Sequence, residues 1–220
     1  TLENIYKNSR LHLPNMKKLG LYNIDGLNIP EREENCIGCY GKAKELSKGK
    51  NSPVGHWEIC GYVKEVAFST FPEGFPKKLL DLISEKANIP GFICNEKGSG
   101  TELLKKYGEE SVKTKKPIVY TSADSVFQIA AHEEVYSVED LYKICKIART
   151  VIDENNYNIG TVIARPFVGT CNEDYVRTYN RRDFEASTFG TTLLDRFIEN
   201  GKTVYAIGKI EDLFVGRGIT

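Results

Sequence analysis

The sequence lacks an excess of charge of either sign. Its 220 residues contain 30 Lys and Arg against 30 Asp and Glu, so the formal net charge at pH 7 is zero. A protein that binds nucleic acid broadly carries a positively charged surface, and this composition therefore excludes a general nucleic-acid binder. Hydrophobic residues make up 40% and charged residues 27% of the chain, which is typical of a globular protein rather than a disordered one.

Long apolar runs and abundant cysteine are also missing. The apolar runs are far too short to cross a bilayer, and the amino terminus has no basic-then-apolar signal pattern. Six Cys residues are too few for a disulfide-stapled miniprotein, so we expect a reducing cytoplasmic environment and no membrane partner. The chain begins at Thr1 rather than Met, which is compatible with a natural terminus and with a piece of a longer protein.

Recognisable metal-binding patterns are absent as well. The three His residues have no metal-ligand spacing between them, and no pair of carboxylates suggests a two-metal cage. Cys36 and Cys39 form a single Cys-x-x-Cys, which supplies too few thiolates for a zinc site. We interpret these two thiols as incidental.

Helix and strand patterns alternate along the chain, which predicts an α/β fold with helices on a sheet. The best-defined helix spans 138–153, where Ser137 is expected to cap a single apolar stripe and Asp140 lies three residues on. Other helices are predicted at 14–19, 40–46, 54–62, 77–86, 101–107 (ended by Gly108) and 193–199, and strands at 91–94, 117–122, 159–165 and 203–207. The Pro-rich segment 71–76 breaks this pattern and marks the start of an inserted region.

Ser52 is the candidate nucleophile. It follows a flexible Gly and a cation and precedes Pro53, so it is expected at a helix N-terminus, where free N–H groups favour an anion such as a phosphoryl group. A hydroxyl becomes a useful nucleophile only when a neighbour or a metal lowers its pKa. The alternative is that Ser52 only caps the helix, which the spacing alone favours, and the two roles are compatible. His56 could act as its base, although packing is the more common role for such a residue.

Small polar residues follow the strand predicted at 117–122, where ligand-binding loops tend to lie. Ser122 and Asp124 belong to this loop. Guanidinium groups, which pair bidentately with phosphate, follow downstream at Arg165, Arg177, Arg181 and Arg182. Each arginine alone could be a solvated surface residue, as could Lys209, but together with the polar loop they favour a site for a phosphorylated polyol.

Five motifs together resemble phosphopentomutases of the alkaline-phosphatase superfamily. They are GKNSPVGHWE (49–58), FPEGFP (71–76), YTSADSVFQIAAHE (120–133), VIARPF (162–167) and IGKI (207–210). The resemblance implies part of an alkaline-phosphatase-like core with an inserted α+β cap. On this basis residues 1–66 are core with the nucleophile segment, 67–188 are the substrate-binding cap, and 189–220 return into the core.

The resemblance also implies an activity. It is the interconversion of ribose 1-phosphate and ribose 5-phosphate, and of their deoxy forms, in nucleoside salvage, through a phosphoenzyme and a sugar bisphosphate that also acts as activator. By motif Ser52 carries the phosphoryl group, in a position where many family members have Thr. The implied substrate-binding residues are Ser122, Asp124, Val126, Ile163, Arg165, Arg177 and Lys209. Thr161 stands where family members often carry a cation. The expected partners are small pentose phosphates and not nucleic acid, and the oligomeric state is left open.

The family uses two divalent metal ions, commonly manganese, but the Asp and His motifs that hold them have no match here. We therefore interpret the chain as an internal fragment of a longer enzyme that lacks both ends, and we expect the metal ligands mostly outside this chain and the 220 residues to be inactive alone. Two alternatives stay open. The pattern Asn51-Ser52-x-Val54-Gly55-His56 is similar to cofactor-independent phosphoglycerate mutases, although the block 120–133 argues against them. A chain without metal ligands could also be a non-catalytic module that binds sugar phosphates.

Overall fold

The computed structural model describes residues 1–9, 11–49, 51–188 and 190–220. These residues form two compact units, Thr1–Glu45 and Leu46–Thr220. The domain boundaries expected from the sequence, after residues 66 and 188, stay a prediction.

The first unit is built from short helices. Helix α1 (Leu2–Asn8) is capped by Thr1, and α2 (Pro14–Lys18) starts with its Pro as the sequence predicts. Gly20 then takes a φ of +95°, and the ring of Tyr40 lies where a Cβ on this glycine would be. The helix predicted at 40–46 is wrong, because this stretch is irregular. A seven-residue helix needs an apolar face packed on a neighbour to be stable, and Tyr40 instead packs sideways against Gly20.

The second unit contains the sheet and the helices that surround it. Its elements are α3 (Ser52–Ile59), α4 (Lys77–Ala87), β1 (Ile93–Lys97), α5 (Gly100–Thr114), β2 (Ile118–Thr121), β3 (Val126–His132), α6 (Val138–Glu154), β4 (Thr161–Val168), β5 (Val176–Arg177), β6 (Arg182–Glu185), α7 (Leu193–Glu199) and α8 (Ile210–Phe214). The six strands run in the order β1-β2-β3-β4, with β5 and β6 both paired to β4. The pairs β1–β2 and β3–β4 are parallel and the others antiparallel. The predicted α/β fold is confirmed, with a mixed sheet.

The two faces of the sheet differ in what covers them, since successive side chains on a strand point to opposite faces. One face is apolar and packs against α4 and α6; its buried residues include Val119, Phe127, Ile129, Val162 and Ala164. On the other face α5 covers parts of β1, β2 and β3, through Leu103 and Leu104. The rest of this second face carries polar side chains, and we call it the polar face.

The helices with clear caps are confirmed, and one helix end is wrong. In α6 the hydroxyl of Ser137 accepts the Asp140 N–H at 3.1 Å, and α7 begins with a capping box at Thr192. The helix predicted to end at Gly108 continues to the end of α5 because Gly108 is a packing residue rather than a terminator. A Cβ there would overlap the ring of Tyr175.

The strand predicted at 203–207 is also wrong. The segment is irregular, and its backbone contact is with Thr220, whose N–H donates to the Val204 carbonyl at 2.9 Å. Tyr205 and Ile207 are 81% and 86% exposed. Within the described ranges, no helix combines the length and the apolar character needed to cross a membrane.

Candidate functional site

Helix α3 presents Ser52 at its N-terminus. The cap is Asn51, whose Oδ1 accepts the Val54 N–H at 3.4 Å, while Ser52 is the first helical residue and is exposed. The alternative that Ser52 serves only as the cap is therefore wrong. The helix is anchored by Trp57, which is fully buried and donates from Nε1 to the Leu213 carbonyl at 2.8 Å. The N-terminal position leaves the Ser52 hydroxyl exposed at the positive end of the helix dipole, which favours an anion, although Pro53 has no N–H and the Val54 and Gly55 N–H groups are bonded to Asn51.

His56 lies one turn after Ser52 and contacts its backbone. The His56 Nδ1 is 2.7 Å from the carbonyl oxygen of Ser52. This ring is therefore held by the main chain of α3, and the contact gives no support to His56 as a base for the Ser52 hydroxyl.

The polar face brings together several residues that are far apart in the sequence. Residues directly opposite each other on neighbouring strands form rows across it. These rows are Val126–Thr161–Glu185, Tyr120–Gln128–Ile163–Asp183 and Ala130–Arg165. Arg177 lies opposite Phe167 and thus on the same face. Four of the predicted substrate-binding residues, Val126, Ile163, Arg165 and Arg177, therefore share one surface.

Two guanidinium groups on this face are held by neutral partners. Arg165 donates from Nε to the Gln128 Oε1 at 3.1 Å, and Arg177 donates from Nη2 to the Tyr120 hydroxyl at 3.3 Å. Among the residues that the structure describes, neither forms an ion pair with a carboxylate. Burial lowers the pKa of Arg165, and the nearby positive charges of Arg181 and Arg177 lower it further. An anion placed here would relieve this repulsion, and a phosphate matches the guanidinium forks.

Tyr120 and Gly100 fix the position of Arg177. A Cβ on Gly100, the first residue of α5, would overlap both the Arg177 guanidinium and the Tyr120 hydroxyl. Burial raises the pKa of Tyr120, which keeps its phenol protonated at neutral pH. The missing side chain at position 100 therefore creates the space that the guanidinium occupies.

Asp183 connects Lys209 to the polar face. Its carboxylate accepts hydrogen bonds from Arg181 Nε at 2.8 Å and from Lys209 Nζ at 3.1 Å. Burial alone would raise the pKa of Asp183, but these two cations outweigh it and the pKa is lowered. The predicted residue Lys209 is thus held at the row that contains Ile163.

A buried pair occupies the next row. The hydroxyl of Thr161 donates to Glu185 Oε2 at 2.5 Å, and both residues are only 5% exposed. Burial raises the pKa of Glu185, and the negative charge of Asp183 adds to this effect.

The loop with Ser122 and Asp124 lies between β2 and β3, close to the start of α3. Within the loop the Asp124 N–H donates to the Ser122 hydroxyl at 3.3 Å. Asp124 and Asn51 line the same cleft, whose volume is about 500 Å³. Ser125 ties the loop to β4, because its hydroxyl accepts the Gly160 N–H at 3.2 Å. The start of α3 and the loop with Ser122 and Asp124 are therefore neighbours.

Sequence reasoning missed four polar residues of this site, Tyr120, Gln128, Asp183 and Glu185. The signal was present in two alternating patterns. Gln128 interrupts the apolar part of a strand that ends at His132, and the alternation in 182–185 places Asp183 and Glu185 on one face. Neither β3 nor β6 was predicted as a strand, so the register that brings these residues together could not be inferred.

The described residues do not fit a two-metal site. Over the described ranges, no group of three His, Cys, Asp or Glu side chains comes close enough together to hold a metal ion. Cys36 and Cys39 are both free thiols.

The chain is similar to phosphopentomutases over its whole length. It is 50% identical over 220 residues to the one from Caldanaerobacter subterraneus subsp. tengcongensis, covering 100% of this chain and 55% of that protein. It is 47% identical over 221 residues to that of Clostridioides difficile, covering 100% and 56%, and 49% identical over 212 residues to that of Thermotoga maritima, covering 96% and 54%. The chain thus spans little more than half the length of these curated relatives. No protein-family model matches the chain.

Proposed function

This chain belongs by its sequence to the phosphopentomutase family, and we propose that the protein interconverts (deoxy)ribose 1-phosphate and (deoxy)ribose 5-phosphate. The structural observation that carries the proposal is the polar face, where Arg165 and Arg177 lie without carboxylate partners among the described residues. Guanidinium groups oriented by neutral hydrogen bonds are suited to bind the phosphate of a small sugar. The pentose then extends along the face toward the loop with Asp124.

Ser52 carries the phosphoryl group in this proposal. The phosphorus–oxygen bond to Ser52 breaks as a bond forms to the free hydroxyl of the bound sugar phosphate, and the proton of that hydroxyl ends on the serine oxygen. The product is a sugar bisphosphate. Transfer of its other phosphoryl group back to Ser52 releases the isomeric monophosphate. The N-terminus of α3 supports the phosphoserine because the positive end of the helix dipole stabilises an anion.

Further parts of the proposal come from the family alone. They are two divalent ions, with manganese favoured, a sugar bisphosphate activator, a role in nucleoside salvage and a cytoplasmic location. The ions would be held by residues other than those described here, and they would stabilise the charge that develops during phosphoryl transfer.

The test is a substitution of Ser52 in the protein expressed from its complete reading frame. Formation of ribose 5-phosphate from ribose 1-phosphate is measured with manganese for the unsubstituted protein, Ser52→Ala and Ser84→Ala. Ser84 donates its hydroxyl to the Leu80 carbonyl on α4, on the opposite side of the sheet, and serves as the matched control. We expect Ser52→Ala to abolish turnover and Ser84→Ala to retain it. Full turnover by Ser52→Ala would remove Ser52 from the chemistry.

A phosphoglycerate mutase activity is the second candidate, favoured by the pattern from Asn51 to His56. Competition separates the two candidates. If 3-phosphoglycerate, and not ribose 5-phosphate, competes for the substrate site of the protein, the pentose assignment is wrong. Tight binding of ribose 5-phosphate without turnover of any sugar phosphate, in the protein from the complete reading frame, would instead indicate a binding module.

A further inference from the structure

The segment that joins β5 to β6 contains an irregularity beside the arginines of the polar face. On β4, Ala164 pairs with Arg182. Three residues further along β4, Phe167 pairs with Arg177. Two residues of β4 lie between these pairs, but the opposite chain has four, 178–181, so two extra residues form a bulge. Bulges re-aim side chains and are frequent next to active sites.

The bulge moves Arg177 toward Arg165. Without the two extra residues, the register of β6 would place Arg177 opposite Gly169, four residues from Arg165 and about 13 Å along the strand. With the bulge, Arg177 lies opposite Phe167, two residues and about 7 Å from Arg165 on the same face. The bulge therefore brings two guanidinium groups close enough for one phosphate to contact both.

Glu133 holds the bulge in place. Its Oε1 accepts hydrogen bonds from the Thr178 hydroxyl at 2.6 Å and from Asn180 Nδ2 at 3.0 Å. Its own N–H donates to the Phe167 carbonyl at 3.0 Å, which ties Glu133 to β4. Tyr142 of α6, which packs on the apolar face, donates its hydroxyl to the Asn180 carbonyl at 2.8 Å. The bulge is thus supported from the α6 side of the sheet, behind the polar face.

Arg177 depends on this support more than Arg181 does. Arg181 has its own anchor in the ion pair with Asp183. The Arg177 side chain makes a single hydrogen bond among the described residues, the 3.3 Å contact with the Tyr120 hydroxyl. The position of Arg177 along β4 is therefore set by the bulge.

We propose that Glu133 is a positioning residue for Arg177, which it holds in place for the phosphate of the sugar substrate by fixing the bulge. This inference rests on the proposed function. Hydrogen bonds to a carboxylate are stronger than those between neutral groups, and their loss would release Arg177 without removing a group that touches the substrate. The effect should therefore fall on substrate binding rather than on phosphoryl transfer.

The test measures KM and kcat for ribose 1-phosphate with manganese in the protein from its complete reading frame. Glu133→Leu loses both side-chain hydrogen bonds, whereas Glu133→Gln keeps an oxygen that can accept both. Glu134→Leu is the control, because the side chain of this exposed neighbour makes no hydrogen bond or ion pair within the described ranges. We expect KM to rise about tenfold in Glu133→Leu with little change in kcat. Glu133→Gln should restore most of the affinity, and the control should keep it.

Two further variants make the test independent of how well Glu133→Leu folds. Thr178→Val keeps the shape of its side chain and removes one of the two donors, so its KM should also rise, by less. In an Arg177→Ala background, Glu133→Leu should raise KM no further, because the group that Glu133 positions is gone. An undiminished rise in that background would overturn the inference.

The remaining outcomes separate this inference from the proposed function. Turnover with the same KM in Glu133→Leu, Thr178→Val and the unsubstituted protein would overturn the inference and leave the proposed function standing. If the unsubstituted protein turns over no ribose phosphate, the proposed function is wrong, and titration calorimetry with ribose 5-phosphate then decides the inference. A dissociation constant about tenfold higher in Glu133→Leu than in Glu134→Leu would support it, and equal constants would overturn it. No binding by the unsubstituted protein would overturn both.

Discussion

Asp183 and Lys209 are joined by a 3.1 Å ion pair between residues 26 positions apart in the sequence. Lys209 caps α8, and Asp183 lies on β6, so this contact fixes the segment after α7 against the sheet. The Asp183 side chain is only 8% exposed and also binds Arg181. One carboxylate thus sets the positions of two cations beside the proposed sugar-phosphate site.

Asp183→Asn tests how much this contact stabilises the folded protein. The amide keeps the size of the side chain but loses the charge that both cations face. We expect the free energy of unfolding to fall by about 1–3 kcal/mol, as for other lost hydrogen bonds to charged groups. Urea unfolding followed by circular dichroism measures it. The matched control is Asp81→Asn, which removes an exposed pair with Lys77 and should cost no more than about 0.5 kcal/mol. Equal losses of unfolding free energy in Asp183→Asn and Asp81→Asn would show that the contacts of Asp183 stabilise the fold no more than an exposed ion pair does.

The pH dependence of this contribution has a definite sign. Because the folded-state pKa of Asp183 is lowered, its stabilisation is present above the pKa of the unfolded chain and is lost as the pH falls through the lower folded value. The difference in unfolding free energy between the unsubstituted protein and Asp183→Asn should therefore shrink as the pH falls below about 4. A difference that grows on acidification would show that the charge of Asp183 does not cause it.

Glu185→Gln should show the opposite trend. The folded-state pKa of Glu185 is raised, so the folded protein binds a proton more tightly than the unfolded chain, and stability is lost as the pH rises through the raised value. Gln keeps an acceptor for the Thr161 hydroxyl and cannot ionise. We expect the stability of Glu185→Gln relative to the unsubstituted protein to increase between pH 4 and pH 8 in urea titrations. A flat relative stability over this range would mean that the carboxyl ionises without cost.

Capping residues and apolar stripes made part of the fold predictable. Ser137 and Asp140 located the start of α6, and the stripe along that helix gave its extent to within one residue. These features act within one turn of a helix and can be read locally. Four of the predicted substrate-binding residues, Val126, Ile163, Arg165 and Arg177, share the polar face, and their roles stay predictions.

The errors have tertiary causes. Gly108 usually signals a helix end, but the ring of Tyr175, 67 positions on, occupies the space that the glycine leaves in the middle of α5. The residues 203–207 are β-branched or aromatic apart from Ala206, yet a strand forms only with a neighbouring strand, and among the described residues this segment has only a backbone contact with Thr220. Gln128 and Asp183 became site residues only through strand register, which local pattern does not specify.

Gly160→Ala tests the close approach between Asn51, which caps α3, and Gly160, which precedes β4. A Cβ at this position would lie 2.9 Å from Asn51 Nδ2 and 3.0 Å from the ring of Phe68. The backbone cannot move away easily, because the Gly160 N–H is bonded to Ser125 and its carbonyl to the Ala186 N–H. We expect a loss of about 1–3 kcal/mol, typical of overpacking.

Gly55→Ala is the control for that substitution. Gly55 lies inside α3, and a Cβ there meets nothing within 4 Å. Because Ala favours a helix over Gly by up to about 1 kcal/mol, this variant should be stabilised. Thermal and urea unfolding of the two variants should move in opposite directions. Stabilisation of Gly160→Ala would mean that Asn51 is not held against β4.

Gln128→Leu tests whether neutral partners orient the arginines for the sugar phosphate. Gln128 is 5% exposed, and its Oε1 accepts from Arg165 Nε. Leu fills the same space but leaves the guanidinium free to rotate, so we expect the KM for ribose 1-phosphate to rise about tenfold, a loss of about 1.4 kcal/mol in binding. The kcat should change less, because Gln128 acts on binding through Arg165 and not on Ser52. Initial-rate kinetics with manganese in the protein from its complete reading frame separate the two constants. Gln128→Glu gives the decisive comparison: its negative charge would pair with Arg165 and compete with phosphate, so its KM should exceed that of Gln128→Leu. A KM for Gln128→Glu equal to that of the unsubstituted protein would show that Arg165 does not bind the substrate phosphate.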